Sequence, residues 1–221
     1  MKPAPSTYTL GEEIASSVTH GIGALLGISA LTLLIYRAAL VGTAWHIVSA
    51  ALFGITICLA YTSSTLYHAL TPPRAKRLFK IFDHIAIYLL IAGSYTPFTL
   101  VTLRPEHPAL AWSLFGCVWG GALIGGLAKV FLAGKLRLLS TLCYLAMGWA
   151  VLFALKPLVA ALPPGGTRLL AAGGIAYTAG VAFYLAKPVR YCHSVWHLFV
   201  LAGTICHFFS VLLYVLTPPA P

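Results

Sequence analysis

The chain has 221 residues, of which 60% are hydrophobic and 8% are charged, and its mean hydropathy is +0.91. This composition excludes a soluble domain with a single core, because a soluble surface needs many more charged residues. The net charge of +10 does not indicate nucleic-acid binding, since the basic residues are scattered singly or in small groups between apolar runs. The composition therefore predicts an integral membrane protein that binds no nucleic acid.

Seven apolar segments, each long enough at roughly 20 residues to cross a bilayer, follow one another along the chain. The residues before them lack the apolar core of a removable signal peptide, so we expect the first segment to remain in the mature protein. The fold class predicted is all-α, a seven-transmembrane-helix bundle in a single domain, 1–221. Its predicted spans are 16–36, 44–68, 83–103, 109–128, 137–156, 168–186 and 192–216.

The breaks between the spans are short and carry the basic residues unequally. We expect a loop at 71–80, TPPRAKRLFK, between the second and third spans. Ten Lys and Arg fall on the side of the N-terminus and four on the other, so the positive-inside rule predicts a cytosolic N-terminus and an external C-terminus. The first group is Lys2, Arg74, Lys76, Arg77, Lys80, Lys129, Lys135, Arg137, Lys187 and Arg190, and the second is Arg37, Arg104, Lys156 and Arg168.

Proline, cysteine and glycine residues inside or beside the spans each lead to a separate prediction. Pro97 should kink the third span or leave a carbonyl without its donor. The five cysteines lack CxxC spacing, so we expect free thiols. The fourth span carries two GxxxG spacings, which allow either close packing in the bundle or a homodimer face, among Gly116, Gly120, Gly121, Gly125 and Gly126.

Ionisable residues within membrane spans are costly and usually mark a site. Of only four acids, Asp83 is predicted to open the third span and is the candidate for catalysis at depth, and Glu106 lies in an outer loop. Glu12 and Glu13 are interpreted as interfacial charges, although the first span could bring one of them towards the site. Five of the six histidines that are not placed at the outer surface lie towards the cytosolic side. The six are His20, His68, His84, His193, His197 and His207.

Two spacings place polar side chains on common helix faces. His193 and His197 are four apart in CHSVWHL, so two imidazoles one turn apart can share a metal ion. Ser64 and His68 are four apart in SSTLYH. The predicted topology brings these residues and Asp83 to the same leaflet. Each histidine taken singly could instead donate an interhelical hydrogen bond.

Three neutral imidazoles and a water are the ligands of an open, catalytic zinc site. We therefore predict that His68, His193 and His197 bind Zn²⁺, which lowers the pKa of that water to about 7. Asp83 could accept its proton, and Ser64 could donate to a polarised carbonyl or hold the water. His20 and His207 are expected to support the ligands or to be structural, His84 to point elsewhere, and thiolate ligation by Cys192 or Cys206 is a minor alternative.

The sequence resembles the hemolysin III family, the bacterial branch of the progestin and adipoQ receptor (PAQR) proteins, over nearly the whole chain. The segments that carry the resemblance are GEEIASSVTHGIG at 11–23, SSTLYH at 63–68, FDHIAIYLLIAGSYTPF at 82–98 and HSVWHLFVLAGTICHF at 193–208. The resemblance implies seven helices with a cytosolic N-terminus and a zinc ion on the SxxxH and HxxxH histidines. It also implies that Asp83 contacts the zinc water and that the SxxxH serine is Ser64.

The wider superfamily contains alkaline ceramidases, and by this analogy we expect a zinc-dependent hydrolase of a lipid amide or ester that affects membrane lipid homeostasis. The partner is then a membrane lipid, and the location a bacterial inner (plasma) membrane. A receptor or regulator with structural zinc is the alternative. A pore-forming hemolysin is disfavoured because the charges cluster at one leaflet instead of lining a path. A proton-coupled transporter would have only His20 and His207 as deeper titrating groups.

Overall fold

The computed structural model describes residues 8–131, 137–186 and 189–217. These ranges contain helices and no strand, and seven helical stretches are long and apolar enough to span a membrane. The predicted all-α, seven-helix fold is therefore confirmed. The α-helices are α1 (Leu10–Val41), α2 (Ala44–Ala69), α3 (Pro73–Pro97), α4 (Pro108–Phe131), α5 (Arg137–Gly148), α6 (Leu155–Ala161), α7 (Pro164–Leu185) and α8 (Cys192–Ser210). α5 and α6 both belong to the fifth span, so the eight helices make seven spans.

Residues with known capping chemistry set the ends of α1. Thr9 and Glu12 form a capping box, in which the Glu12 carboxylate accepts from the Thr9 amide at 2.8 Å and the Thr9 hydroxyl oxygen accepts from the Glu12 amide at 3.4 Å. At the other end Gly42 adopts a left-handed conformation with φ of 90° and donates its amide to Ala38. These caps extend α1 well beyond both ends of the predicted first span.

The loop predicted at 71–80 is wrong, because α3 already begins at Pro73. Proline suits the first turn of a helix, and the basic residues that follow it are good helix formers whose long side chains reach water from a helix. Asp83 consequently lies ten residues into α3 and not at its start. Lys2, Lys135 and Lys187, which contribute to the predicted orientation, lie outside the described residues, and the orientation stays a prediction.

The third and fifth spans contain breaks in their α-helical hydrogen bonding. The backbone changes from α to π geometry directly after Pro97, over Phe98–Leu103. The sequence predicted a kink or an unpaired carbonyl at Pro97, but not this π segment. In the fifth span α5 and α6 are separated by a 3₁₀ segment, Trp149–Ala154. The Tyr95 hydroxyl bridges this second break, since it donates to the Gly148 carbonyl at 2.6 Å and accepts from the Val151 amide at 2.8 Å.

Replacing Tyr95 by phenylalanine should lower stability, because it leaves the Gly148 carbonyl and the Val151 amide without the bridging hydroxyl where little water is available. We expect a loss of about 1–2 kcal/mol, measured as a lower melting temperature in detergent. The matched control is Tyr36→Phe, since Tyr36 is 64% exposed on the outer face of α1. Equal melting temperatures for Tyr95→Phe and the native chain would contradict this role of the hydroxyl.

The glycines of α4 divide into two groups. A Cβ added at Gly125 would lie 2.4 Å from the Tyr88 ring, and one at Gly121 would lie 3.2 Å from Met147. These glycines allow close packing inside the bundle. Gly116 and Gly120 face open space, and the homodimer predicted from the GxxxG spacing is untested there.

Many large apolar side chains point away from the bundle. Leu25, Ile124 and Phe153 are among the most exposed, as expected for helices whose outer faces contact lipid. Many polar side chains instead lie inside, and a group of them, including Glu13, His68 and His197, lies at the end of the bundle where α2 finishes and α1 and α8 begin. This distribution places any chemistry within the bundle.

Candidate metal centre

The three histidines predicted to bind the metal come together in the structure. His68 lies in the last turn of α2, and His193 and His197 lie in the first two turns of α8. One ring nitrogen of each lies within 4.8 Å of the others. His68 and His197 are buried, at 3% and 0% exposure. The group can therefore hold a metal ion.

Glu13 orients His68. Its carboxylate lies 2.6 Å from Nδ1 of His68, so Nδ1 carries the hydrogen and donates it. The other carboxylate oxygen of Glu13 lies 2.9 Å from Nζ of Lys76. This chain of contacts leaves the lone pair of His68 on Nε2, which lies 3.2 Å from Nε2 of His193.

His197 is oriented by the backbone of α1. Its Nδ1 lies 3.2 Å from the carbonyl oxygen of Ser16, which can only accept, so Nδ1 is the donor. Its Nε2 therefore bears the lone pair, and this buried atom has no hydrogen-bond partner among the described residues. A buried ring nitrogen with a free lone pair is a ready metal ligand.

These hydrogen bonds fit a metal ion better than they fit an apo core. Metal-binding histidines usually donate their second ring nitrogen to a carboxylate or a backbone carbonyl, which fixes the tautomer. His68 donates to the carboxylate of Glu13, and His197 donates to the backbone carbonyl of Ser16. The donor set of three imidazoles is borderline-soft and suits Zn²⁺ as well as other transition metals.

The neighbouring acid, Glu12, ties α8 to α1. Its carboxylate accepts the backbone amide of Tyr191 at 3.0 Å. Tyr191 has φ of 62° and directly precedes Cys192, the first residue of α8. Glu12 thereby fixes the turn that begins the helix carrying His193 and His197.

The two predicted catalytic residues are both buried. Asp83 is 7% exposed, is not a member of the three-histidine group, and borders the internal cavity described below. Ser64 lies one turn from His68 on α2, and its hydroxyl finds no hydrogen-bond partner in the part of the chain that the structure describes. The geometry assigns no role to either residue, so both assignments remain predictions.

The remaining histidines differ in their surroundings. His20 stacks on His197 with ring centroids 3.5 Å apart and borders the cavity, whereas His207 lies farther along α8. Nδ1 of His84 lies 2.6 Å from the Lys80 carbonyl oxygen, 3.8 Å from the Asp83 carboxylate. All five cysteines are free thiols, as predicted.

For Glu13 the structure favours the second of the two sequence interpretations, in which the first span brings one of its acids towards the site. Glu13 is 9% exposed and contacts His68 and Lys76. The available signal was its rarity, since the chain has only four acids and two of them directly precede the first predicted span.

A cavity of about 290 Å³ lies inside the bundle and reaches His20, whose ring stacks on His197 of the three-histidine group. Its walls are mainly apolar side chains of α3, the fifth span, α7 and α8. His20 and Asp83 border it at the end nearest the metal centre, and His207 borders it farther along α8. Its size and apolar lining suit a small lipid or an acyl chain.

Replacing Glu13 by glutamine should weaken metal binding, because a neutral amide has one acceptor oxygen in place of two. If that oxygen accepts from Nδ1 of His68, the NH₂ group faces Nζ of Lys76 and the ion pair is lost. We expect a loss of about 10–100-fold in metal affinity, measured by competition with a chelator. The control is Glu106→Gln, since Glu106 is exposed in a loop. Unchanged affinity in Glu13→Gln would show that the contact does not support the ligand.

Fold and site together define a polytopic membrane protein with a buried three-histidine group that can hold a metal ion. The family model described as "Haemolysin-III related" matches residues 8–208. The chain is 47% identical to "Hemolysin-3" from Bacillus cereus over 210 residues, covering 95% of this chain and 94% of that protein. It is 47% identical to "Hemolysin-3 homolog" from Bacillus subtilis over 212 residues, covering 96% and 98%.

The chain therefore belongs to the haemolysin-III-related family, as its sequence motifs predicted. It is an integral membrane protein of the bacterial plasma membrane. A more distant relative is human "Monocyte to macrophage differentiation factor", which is 26% identical over 230 residues, covering 98% of this chain and 91% of that protein.

Proposed function

We propose that this protein is a zinc-dependent hydrolase of a lipid amide or ester. The observation that carries the proposal is an apolar cavity bordered by Asp83 and by His20, whose ring stacks on His197 of the three-histidine group. A site that only fixed helices would not need a cavity or a buried carboxylate next to it. The two together support chemistry on an apolar molecule.

Zinc bound by His68, His193 and His197 would act as a Lewis acid and lower the pKa of a water to about 7. Asp83 would accept a proton from the water that attacks the carbonyl carbon, and would pass it to the amine or alcohol that leaves when the C–N or C–O bond breaks. Ser64 offers its hydroxyl to the carbonyl oxygen of the substrate, which favours the charge that develops there. The apolar cavity binds the acyl chain and excludes bulk water.

The proposal is tested with purified, zinc-loaded protein and a panel of lipid amides and esters, including ceramides, in detergent micelles. We expect release of free fatty acid that stops on chelation and returns when zinc is added. Unchanged turnover after complete removal of the metal would contradict a zinc-dependent reaction. No release from any member of the panel would favour the second candidate function.

That second function is a membrane receptor or regulator in which the metal is structural. It is supported by the way the three histidines join α2 to α8, with Glu13 of α1 held between His68 and Lys76. In this case chelation should lower the melting temperature without loss of any chemistry. Native melting behaviour in the chelated protein would contradict it.

The remaining assignments follow the sequence. We place the N-terminus in the cytosol, on the basic side of the bundle, with a membrane lipid as the partner and a homodimer through the outer glycines of α4. The relatives' name suggests hemolysis, which we regard as the least favoured function for this chain. Purified protein that released dye from liposomes at low dose would reverse that ranking.

A further inference from the structure

Two buried histidines outside the three-histidine group border the same cavity. Both ring nitrogens of His20, and Nδ1 of His207, have no hydrogen-bond partner within the described ranges. Buried polar atoms in proteins are nearly always paired, so each exception requires an explanation. His20 stacks on the metal-site residue His197 and belongs to that site. His207 does not, and its unpaired atom points to a separate role.

The hydrogen bonding of His207 defines which chemical group it can bind. Its Nε2 lies 3.2 Å from the carbonyl oxygen of Leu170, which can only accept a hydrogen bond. Nε2 therefore carries the hydrogen, and in the neutral imidazole Nδ1 bears the lone pair. Nδ1 of His207 is thus an unpaired acceptor on a ring that borders the cavity, which suits a hydroxyl or an amide N–H and does not suit a carbonyl.

Packing holds the His207 ring in place but does not explain why it is a histidine. A Cβ at Gly173 would lie 2.2 Å from Cδ2 of His207, so the ring lies directly against the backbone of α7. The Tyr177 ring packs edge-on against it with centroids 5.4 Å apart. An apolar side chain could fill this space without leaving a polar atom unpaired.

The neighbouring wall of the cavity offers further oxygen acceptors. Tyr61 and Tyr177 both border the cavity, and their hydroxyls lie 2.7 and 2.8 Å from the Thr204 hydroxyl. Thr204 donates its own hydrogen to the Val200 carbonyl at 3.0 Å, so both tyrosines donate to it. Each phenol oxygen keeps an acceptor lone pair. Tyr61 and Tyr177, which border this otherwise apolar cavity, can therefore accept a further hydrogen bond but have no hydrogen left to donate.

The separation along α8 sets the distance between the two polar regions. His207 follows His197 by ten residues on one helix, which corresponds to about 15 Å at 1.5 Å per residue. We propose that His207 is a second ligand-binding group, which accepts a hydrogen bond from a hydroxyl carried along the acyl chain of a lipid. This inference rests on the proposed function only in that a lipid chain occupies the cavity.

The test compares binding of stearic acid with binding of stearic acids that carry one hydroxyl in the middle or the outer half of the chain. The zinc-loaded, full-length protein in detergent is titrated, and quenching of the cavity tryptophans Trp149 and Trp196 is followed. We expect the best hydroxylated acid to bind about tenfold more tightly than stearic acid, as one net hydrogen bond allows. His207→Leu should lose this preference and still bind stearic acid.

The matched control is His107→Leu, which removes an exposed loop histidine and should keep the preference. If His207→Leu fails to fold, His207→Phe takes its place, since it also lacks the acceptor. No preference in the native chain, or a preference that persists without His207, would overturn the inference. Stearic acid binding without any preference leaves the proposed lipid cavity intact, whereas failure of every acid to bind contradicts both.

Discussion

Replacing His68, His193 or His197 by alanine should in each case abolish stoichiometric metal binding. The native protein should bind one metal ion per chain. The three side chains form one group with ring nitrogens within 4.8 Å of one another. Removing one leaves two ligands, too few for the three-ligand set that holds a catalytic zinc ion. Metal content is measured by mass spectrometry on detergent-purified protein.

The control for this experiment is His107→Ala, because His107 is exposed and lies outside the group. It should bind metal as the native chain does. Metal binding should also stabilise the native chain, by about 4 kcal/mol at a free concentration 1,000 times the Kd, and the three variants should lack this gain. Native protein prepared without chelators that contained no metal would refute the metal centre and leave the fold intact.

Asp83→Asn should lower turnover by about 10²–10⁴-fold and leave the metal content unchanged. Asp83 borders the cavity but is not among the three ligands, so its loss should affect proton transfer and not metal binding. General-base contributions are typically about 10²–10⁴-fold. The measurement is turnover on the best lipid substrate together with metal content for the same preparation.

Ser64→Ala should give a loss of about 10²–10³-fold if its hydroxyl stabilises the developing charge. The chain offers a neighbouring control in Ser63, whose hydroxyl donates to the Ala60 carbonyl at 3.2 Å. Ser63→Ala should keep native turnover.

Full activity in Asp83→Asn would exclude Asp83 as the general base. Loss of the metal from Asp83→Asn would show that Asp83 supports metal binding.

The elements that the sequence predicted well are those with a strong local signal. Seven apolar segments became seven spanning helices because, in a bilayer, backbone groups must pair within each helix. Pro97 marked the change to π geometry because proline lacks an amide hydrogen. The predicted start of α3 was wrong because the basic segment was interpreted as a loop, although its residues favour a helix.

The sequence by itself determined the class of protein and identified the three histidines as candidate metal ligands. Their spacing along the helices and the order of the spans already place them at one end of the bundle. Only the tertiary structure showed that Glu13 orients His68, that Nε2 of His197 is left unpaired and that His207 borders the cavity. These features join residues from separate helices. They depend on how the helices rotate and pack against one another, which no local pattern in the sequence specifies.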